Sequence, residues 1–176
     1  MVWTVDLLAA AIVGLLIYAA LADVAARIIP DGVAIGLVAL GVIERLLAGL
    51  PSLGASVLVA LLLLVILVFL NARGLMGGGD VKLAAAIAIG LPVEAIYRFI
   101  VVTSLAGGIL ALVHLALRYS IRNAPRPPPN GASLARRVLA AERWRIVRHG
   151  SLPYGVAIAC GGIWAVLACD WSPVRP

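Results

Sequence analysis

Apolar runs long enough to cross a lipid bilayer recur along this chain, and nothing else in the sequence limits the fold so severely. The first, residues 3–22, measures about 30 Å as an α-helix, which matches the hydrocarbon thickness of a membrane. Inside hydrocarbon every backbone N–H and C=O has to be satisfied within the protein, so such runs read as helices. With 64% hydrophobic and 12% charged residues among 176, and a mean hydropathy of +1.13, a soluble globular domain is excluded. We expect one all-α integral membrane domain over residues 1–176. Only Met1-Val2 precede the first run, without the basic start of a cleaved signal peptide, so the first helix is expected to stay in place.

Punctuating residues divide the remainder. Asp23 follows the first run directly, and Pro30-Asp31-Gly32 signals a turn. A second span is expected over about 33–48, carrying Glu44-Arg45 near its far end. Gly49-Leu50-Pro51-Ser52 reads as a turn into a third span over roughly 53–70. From Val81 to Leu117 the apolar pattern would measure about 55 Å as one helix, too long for a single crossing. Pro92 removes a backbone donor and clashes with the preceding turn, so this stretch divides into a short fourth span, about 81–91, and a fifth, about 94–117. A last span over 154–168 brings the expected bundle to about six transmembrane helices. Residues 118–150, between spans five and six, form the one extended hydrophilic segment. Within it, 125–131 reads as a stiff proline-rich linker and 133–147 as a basic amphipathic helix on an anionic lipid surface.

A net charge of +6 and a pI near 10.2 would suggest a nucleic-acid partner for a soluble protein. Here they report topology, because Lys and Arg collect in cytoplasmic loops, and no nucleic acid is expected. Assigning alternate loops to opposite sides puts Arg27, Arg73, Lys82 and every arginine from 118 to 148 on one side, against Arg45, Arg98 and Arg175 on the other. The first side is therefore expected to be cytoplasmic, with both termini outside. Cys160 and Cys169 are too few for a zinc site and are expected to be small core residues. Gly107-Gly108 and Gly161-Gly162 read as points of close helix packing, and Trp164 and Trp171 suit an interfacial belt.

Against that background Gly77-Gly78-Gly79-Asp80-Val81-Lys82 is an expensive arrangement, because an ionisable side chain near the hydrocarbon boundary costs a few kcal/mol and marks a site with a partner. The topology supplies the partner. Asp23 ends span one and Asp80 begins span four, so both are expected at the cytoplasmic boundary at similar depth. Two carboxylates held close in a partly desolvated place cannot both ionise easily, and the pair then shares a proton. One acts as general base on a water while the other hydrogen-bonds the carbonyl under attack, which is aspartic-protease chemistry without a metal or cofactor. Glycines 77 to 79 allow a substrate chain to approach the backbone closely. Taken alone, Gly-Gly-Gly-Asp fits equally a helix start with Asp80 as its N-cap.

Asp23 followed by Ile29-Pro30-Asp31, and Gly77-Gly78-Gly79-Asp80-Val81-Lys82-Leu83, resemble the two active-site blocks of the type IV prepilin peptidases, D-x5-I-P-[N/D] and G-x-G-D-x-K-[L/F]. Leu152-Pro153-Tyr154-Gly155 is similar to a third segment often seen there, and the short chain resembles the peptidases of tight-adherence (Tad/Cpa, Flp pilus) systems. The resemblance implies a multi-pass peptidase of the bacterial inner membrane that removes a short basic leader from prepilins and pseudopilins on the cytoplasmic side. It implies Asp23 and Asp80 as the catalytic acids, with Gly77, Gly78, Gly79, Lys82, Arg27 and Pro30 in the active-site loops. The longer, methylating members carry an extra region with CxxC motifs; none occurs in this sequence, so cleavage without methyl transfer is expected. The arginines of 118–150 are expected to meet anionic lipid headgroups.

Other residues compete for these assignments. Arg27 and Lys82 either tune the acids or anchor the topology. Asp31 is a rival first acid, although its place in Pro-Asp-Gly favours a turn. His114 in span five is expected to bond a neighbouring helix rather than relay protons, and Asp6, Glu94 and Asp170 to face the outer side. A different class of function fits the same two acids: a small transporter or channel component in which Asp23 and Asp80 bind an ion or proton. Repeated halves and charges near the midplane would accompany it, and neither is evident. A presenilin-like GxGD protease would want its first acid within a longer span.

Overall fold

The computed structural model describes residues 2–121, 133–147 and 152–168. These form seven α-helices: α1 (Val2–Ala26), α2 (Asp31–Leu47), α3 (Leu50–Ala72), α4 (Gly78–Gly90), α5 (Val93–Ser120), α6 (Leu134–Val147) and α7 (Tyr154–Leu167). Three are long and apolar enough to cross a membrane: Asp6–Ala26 within α1, Leu50–Ala72 and Val93–Ser120. Their outer faces carry exposed large apolar side chains such as Leu62, Val65 and Phe69 on α3 and Leu105, Ile109 and Leu112 on α5. Faces of that size and kind need lipid or another protein against them. The linker at 125–131, Cys169, Asp170 and Trp171 lie outside the described residues.

Helix boundaries differ from the sequence expectation where helix ends obey local chemistry. Asp23 lies inside the last turns of α1 instead of beyond its end. Asp31 opens α2 directly after Pro30, where a negative charge is favoured by the unpaired N–H groups of the first turn. Gly49-Leu50-Pro51-Ser52 is not a free turn: Pro51 occupies the first turn of α3, where its missing N–H costs nothing. The break at Leu91-Pro92 holds, with Leu91 extended (ψ 143) as a residue before proline prefers. The carbonyl freed by that break accepts a buried hydrogen bond from Ser56 Oγ at 2.8 Å.

The short α4 occupies the interior of the bundle. At 13 residues it is about 20 Å long, and Val81, Leu83, Ala84 to Ala88 and Gly90 are all buried, against α2, α3 and α7. A helix that is apolar on every side beyond its first turns, as α4 is after Lys82, belongs in such a position. Leu16, Leu83, Leu91 and Ile158 are the largest fully buried apolar side chains beside it. Helix α2 reaches α4 through Gly41 and Gly90, whose backbones pack so closely that a Cβ built on Gly41 would come within 2.6 Å of the Gly90 Cα. The expected packing glycines divide: Gly107 accommodates Tyr154, Gly161 accommodates Thr103, and Gly162 accommodates Leu16 and Ile87, whereas Gly108 faces open space. Cys160 is exposed and not a core residue, because the buried face of α7 runs through Ala157, Ile158, Gly161 and Ala165.

Candidate active site

The C-terminal end of α1, the N-terminal ends of α2, α4 and α7, and helix α6 meet at one end of the bundle. Asp23 is buried there, with 6% of its surface exposed. Its Oδ2 accepts a hydrogen bond of 2.8 Å from the backbone N–H of Gly155, in the first turn of α7. A Cβ built on Gly155 would lie 2.8 Å from that oxygen, so only glycine lets α7 approach the carboxylate so closely. Helix α1 ends immediately beyond: the Arg27 N–H bonds the Asp23 carbonyl at 2.9 Å, and Arg27 itself is left-handed (φ 57).

Asp80 arrives from the other side through the glycine-rich stretch. Helix α3 closes in a Schellman arrangement, with Gly74 left-handed (φ 71), the Leu75 N–H bonded to the Leu70 carbonyl and the Gly74 N–H to that of Asn71. Asn71 Nδ2 then donates to the Met76 carbonyl at 2.7 Å and fixes the entry into α4. Gly77 is the N-cap and Asp80 the third helical residue, whose carboxylate accepts the Gly77 N–H; this reach back to the cap residue is half of a capping box. A Cβ on Gly77 would stand 2.9 Å from Asp80 Oδ2, and one on Gly79 would touch Ile29 at 3.7 Å. The side chain that the sequence singles out for chemistry thus also serves the helix start.

Asp23, Arg27, Ile29, Gly74 to Gly79 and Asp80 line a single cavity of about 1030 Å³. Its remaining wall is largely apolar, from Leu63, Ile66, Leu67 and Leu70 of α3, Phe99 and Ile100 of α5, and Tyr154 and Ile158 of α7. Asp80, outside the three helices of membrane-crossing length, has its carboxyl pushed up to about 6, first by burial and then by the neighbouring Asp23 charge. The Gly77 N–H and the Arg27 guanidinium pull in the opposite direction. Asp80 therefore lies within reach of the Asp23 charge, in a partly desolvated place.

The residues singled out from sequence separate into two sets. Asp23, Asp80, Gly77, Gly78, Gly79 and Arg27 share the cavity; Lys82 and Pro30 do not line it. Lys82, two residues past Asp80 and so on the opposite side of α4, pairs with Asp31 at 2.9 Å, both well exposed. Pro30 is the N-cap residue of α2. His114 lines a separate groove between α5 and α6, beside Glu142 and Arg143. Among the described residues, no cluster of three or more His, Cys, Asp or Glu side chains is placed to hold a metal ion.

Gly155 and Glu142 were not assigned to the site from sequence. Leu152-Pro153-Tyr154-Gly155 was the signal available for the first. The second had none: Glu142 sits among arginines in a segment read for its positive charge, and it pairs with Arg27 across 115 positions of chain. Comparisons with curated proteins and with solved structures give no match. A family model does match, over residues 10–112, more than half of the chain and inclusive of both aspartates and the glycine-rich stretch. Helices of membrane-crossing length around two acids in one cavity agree with that match, and the chain belongs to the type IV leader peptidase family, a family of peptidases.

Proposed function

We propose that this chain is a membrane aspartic endopeptidase that removes the short basic leader of type IV prepilins and pseudopilins at the cytoplasmic face of the inner membrane, with Asp23 and Asp80 as the catalytic acids. The observation that carries the reading is the shared cavity, where two carboxylates from different helices meet beside a wall of apolar side chains. A leader junction is a basic stretch followed by an apolar one. The apolar wall suits the second, and the surrounding end of the bundle, with Arg73, Lys82, Arg118 and the arginines of α6, is the end that the charge distribution assigns to the cytoplasm.

The chemistry follows from the coupling of the acids. Between them the pair holds one proton, and the titration belongs to the pair. The ionised carboxylate takes a proton from a water as the water oxygen bonds the scissile carbonyl carbon. The protonated one gives its proton to the carbonyl oxygen, producing a tetrahedral diol. Collapse of that diol breaks the C–N bond, with a proton passing to the departing amine, and the pair returns to its starting charge. The Gly155 and Gly77 N–H groups hold the two carboxylates in orientation throughout. Gly77 to Gly79, without side chains, leave room for the substrate backbone. Lys82 supports the site from outside by tying the start of α4 to the start of α2.

Co-expression with a prepilin from the same genome tests the proposal, with leader removal read as a mobility shift on a gel. Wild-type chain is expected to cleave, and Asp23→Asn and Asp80→Asn each to abolish cleavage while inserting normally. Cleavage that persists in both variants removes the mechanism. A chain that cleaves no pilin-like protein returns the two acids to the ion-binding reading.

A further inference from the structure

Arg27 is held at the cavity in an unusual manner. It is the one non-glycine residue with positive φ among the described residues, a conformation that persists only where the surroundings over-determine it. Its side chain is 14% exposed, and Nη2 donates to Glu142 Oε2 at 2.8 Å. Nε and Nη1 are buried and have no partner, although Arg27 lines the cavity with both acids. Buried donors without acceptors are unfavourable, and two on one guanidinium mark a place where an acceptor arrives from elsewhere.

Glu142 is itself fixed. Arg145, one turn further along α6, donates to Glu142 Oε1 at 2.6 Å and to the carbonyls of Val24 at 2.9 Å and Ala25 at 3.3 Å. Those carbonyls belong to the last turn of α1, which has no further helix to satisfy them. Helix α6 therefore clasps the end of α1 that carries Asp23. Both clasp residues lie beyond the 10–112 segment that matches the family. Pairing with Glu142 engages one corner of a guanidinium fork that has five N–H groups. Without Glu142, the anions open to Arg27 on the cavity it lines would be the two carboxylates, Asp23 and Asp80.

We propose that Glu142 is a positioning residue of the peptidase site: it keeps the Arg27 guanidinium off the acids and presents Nε and Nη1 to an oxygen acceptor of the substrate chain. The inference rests on the peptidase reading above and makes α6 a working part of the site.

The test uses full-length protein in membranes and a prepilin from the same genome as substrate. Arg27→Lys keeps the charge and the pairing with Glu142 but lacks the two free donors. It is expected to raise KM about tenfold with kcat within about threefold of wild type. Glu142→Ala is expected to lower kcat/KM at least about tenfold, and Glu142→Gln, which retains an acceptor for Nη2, to recover most of it. The Arg27→Ala, Glu142→Ala double variant is expected to be no worse than the poorer single variant, as for residues acting through one contact. Arg27→Lys with wild-type KM overturns the inference, as do Glu142→Ala at wild-type kcat/KM or losses that multiply in the double variant. A wild-type chain that cleaves no prepilin removes the proposed function and this inference together; an active wild type with indifferent variants removes the inference alone.

Discussion

Replacing Gly155 by alanine is the most economical probe of the site, because it adds one methyl group to a backbone that already touches Asp23. The added Cβ would stand 2.8 Å from Asp23 Oδ2 and 3.0 Å from its Cβ and Cγ. An ordinary carbon–oxygen contact is longer by roughly half an ångström, so either the carboxylate turns away or the start of α7 retreats. In both cases the 2.8 Å bond from the Gly155 N–H lengthens or breaks. A misplacement approaching 1 Å in a catalytic group costs about 100-fold in rate, or about 2.7 kcal/mol of barrier. Stability should respond far less, because overpacking by one methyl, about 1–3 kcal/mol, is offset by the roughly 1 kcal/mol by which alanine favours a helix over glycine. The signature is thus a loss of about 100-fold in kcat/KM for leader cleavage, in protein whose thermal unfolding in detergent stays near that of wild type. Gly14→Ala in α1 is the control: a Cβ there meets nothing within 4 Å, and cleavage should be unchanged. Gly155→Ala that cleaves within about threefold of wild type would refute the assigned contact between α7 and Asp23.

Two further outcomes follow from charge. The Asp80 carboxyl, pushed up to about 6 by burial and by Asp23, is neutral below that pH and ionised above it. Under the proposed mechanism the pair works with one proton, so kcat/KM should fall as pH rises beyond the titration of the pair, and a pH–rate profile flat from 5 to 9 would contradict the shared proton. Stability carries the same sign: the unfavourable charge is absent at low pH and develops between the unfolded value of 3.8 and about 6, so Asp80→Asn should unfold at higher temperature than wild type at pH 8, with the gap closing toward pH 4. The exposed Lys82–Asp31 pair, at 2.9 Å, should contribute about 0–1 kcal/mol, so Asp31→Asn and Lys82→Ala should each retain cleavage within a few-fold in a quantitative gel assay. Complete inactivity of Asp31→Asn would instead make Asp31 an acid of the reaction.

Much of the candidate site's cavity lining is legible in the sequence because isolated charge is so conspicuous in an apolar chain. Asp23 and Asp80 stood out by cost, and alternating the spans brought them to the same side. Pro92 marked the division between α4 and α5, and the Arg-rich stretch after 132 is the helix α6 it resembled. The losses have particular causes. Gly49-Leu50-Pro51-Ser52 reads as a turn before span three, although proline is as much at home in a first helical turn. Cys160 was placed in the core by its apolar neighbours, but the buried face of α7 is set by glycine and alanine, which let α1 and α5 come close, and hydrophobicity alone does not show that. Glu142 escaped because an ion pair between residues 115 apart leaves no local pattern, and because Arg145 beside it served the charge count as one more cation.

The near contact of Gly41 with Gly90 has a mechanical consequence. It pins the far end of α4 to α2, and the near end is held by the Asn71–Met76 hydrogen bond and the Lys82–Asp31 pair. Asp80 stands ten residues from the pinned end, a lever of about 15 Å, so a tilt of only about 4° swings its carboxylate by about 1 Å. Through that length of helix, a change at the Gly41–Gly90 contact becomes a displacement of one acid relative to the other.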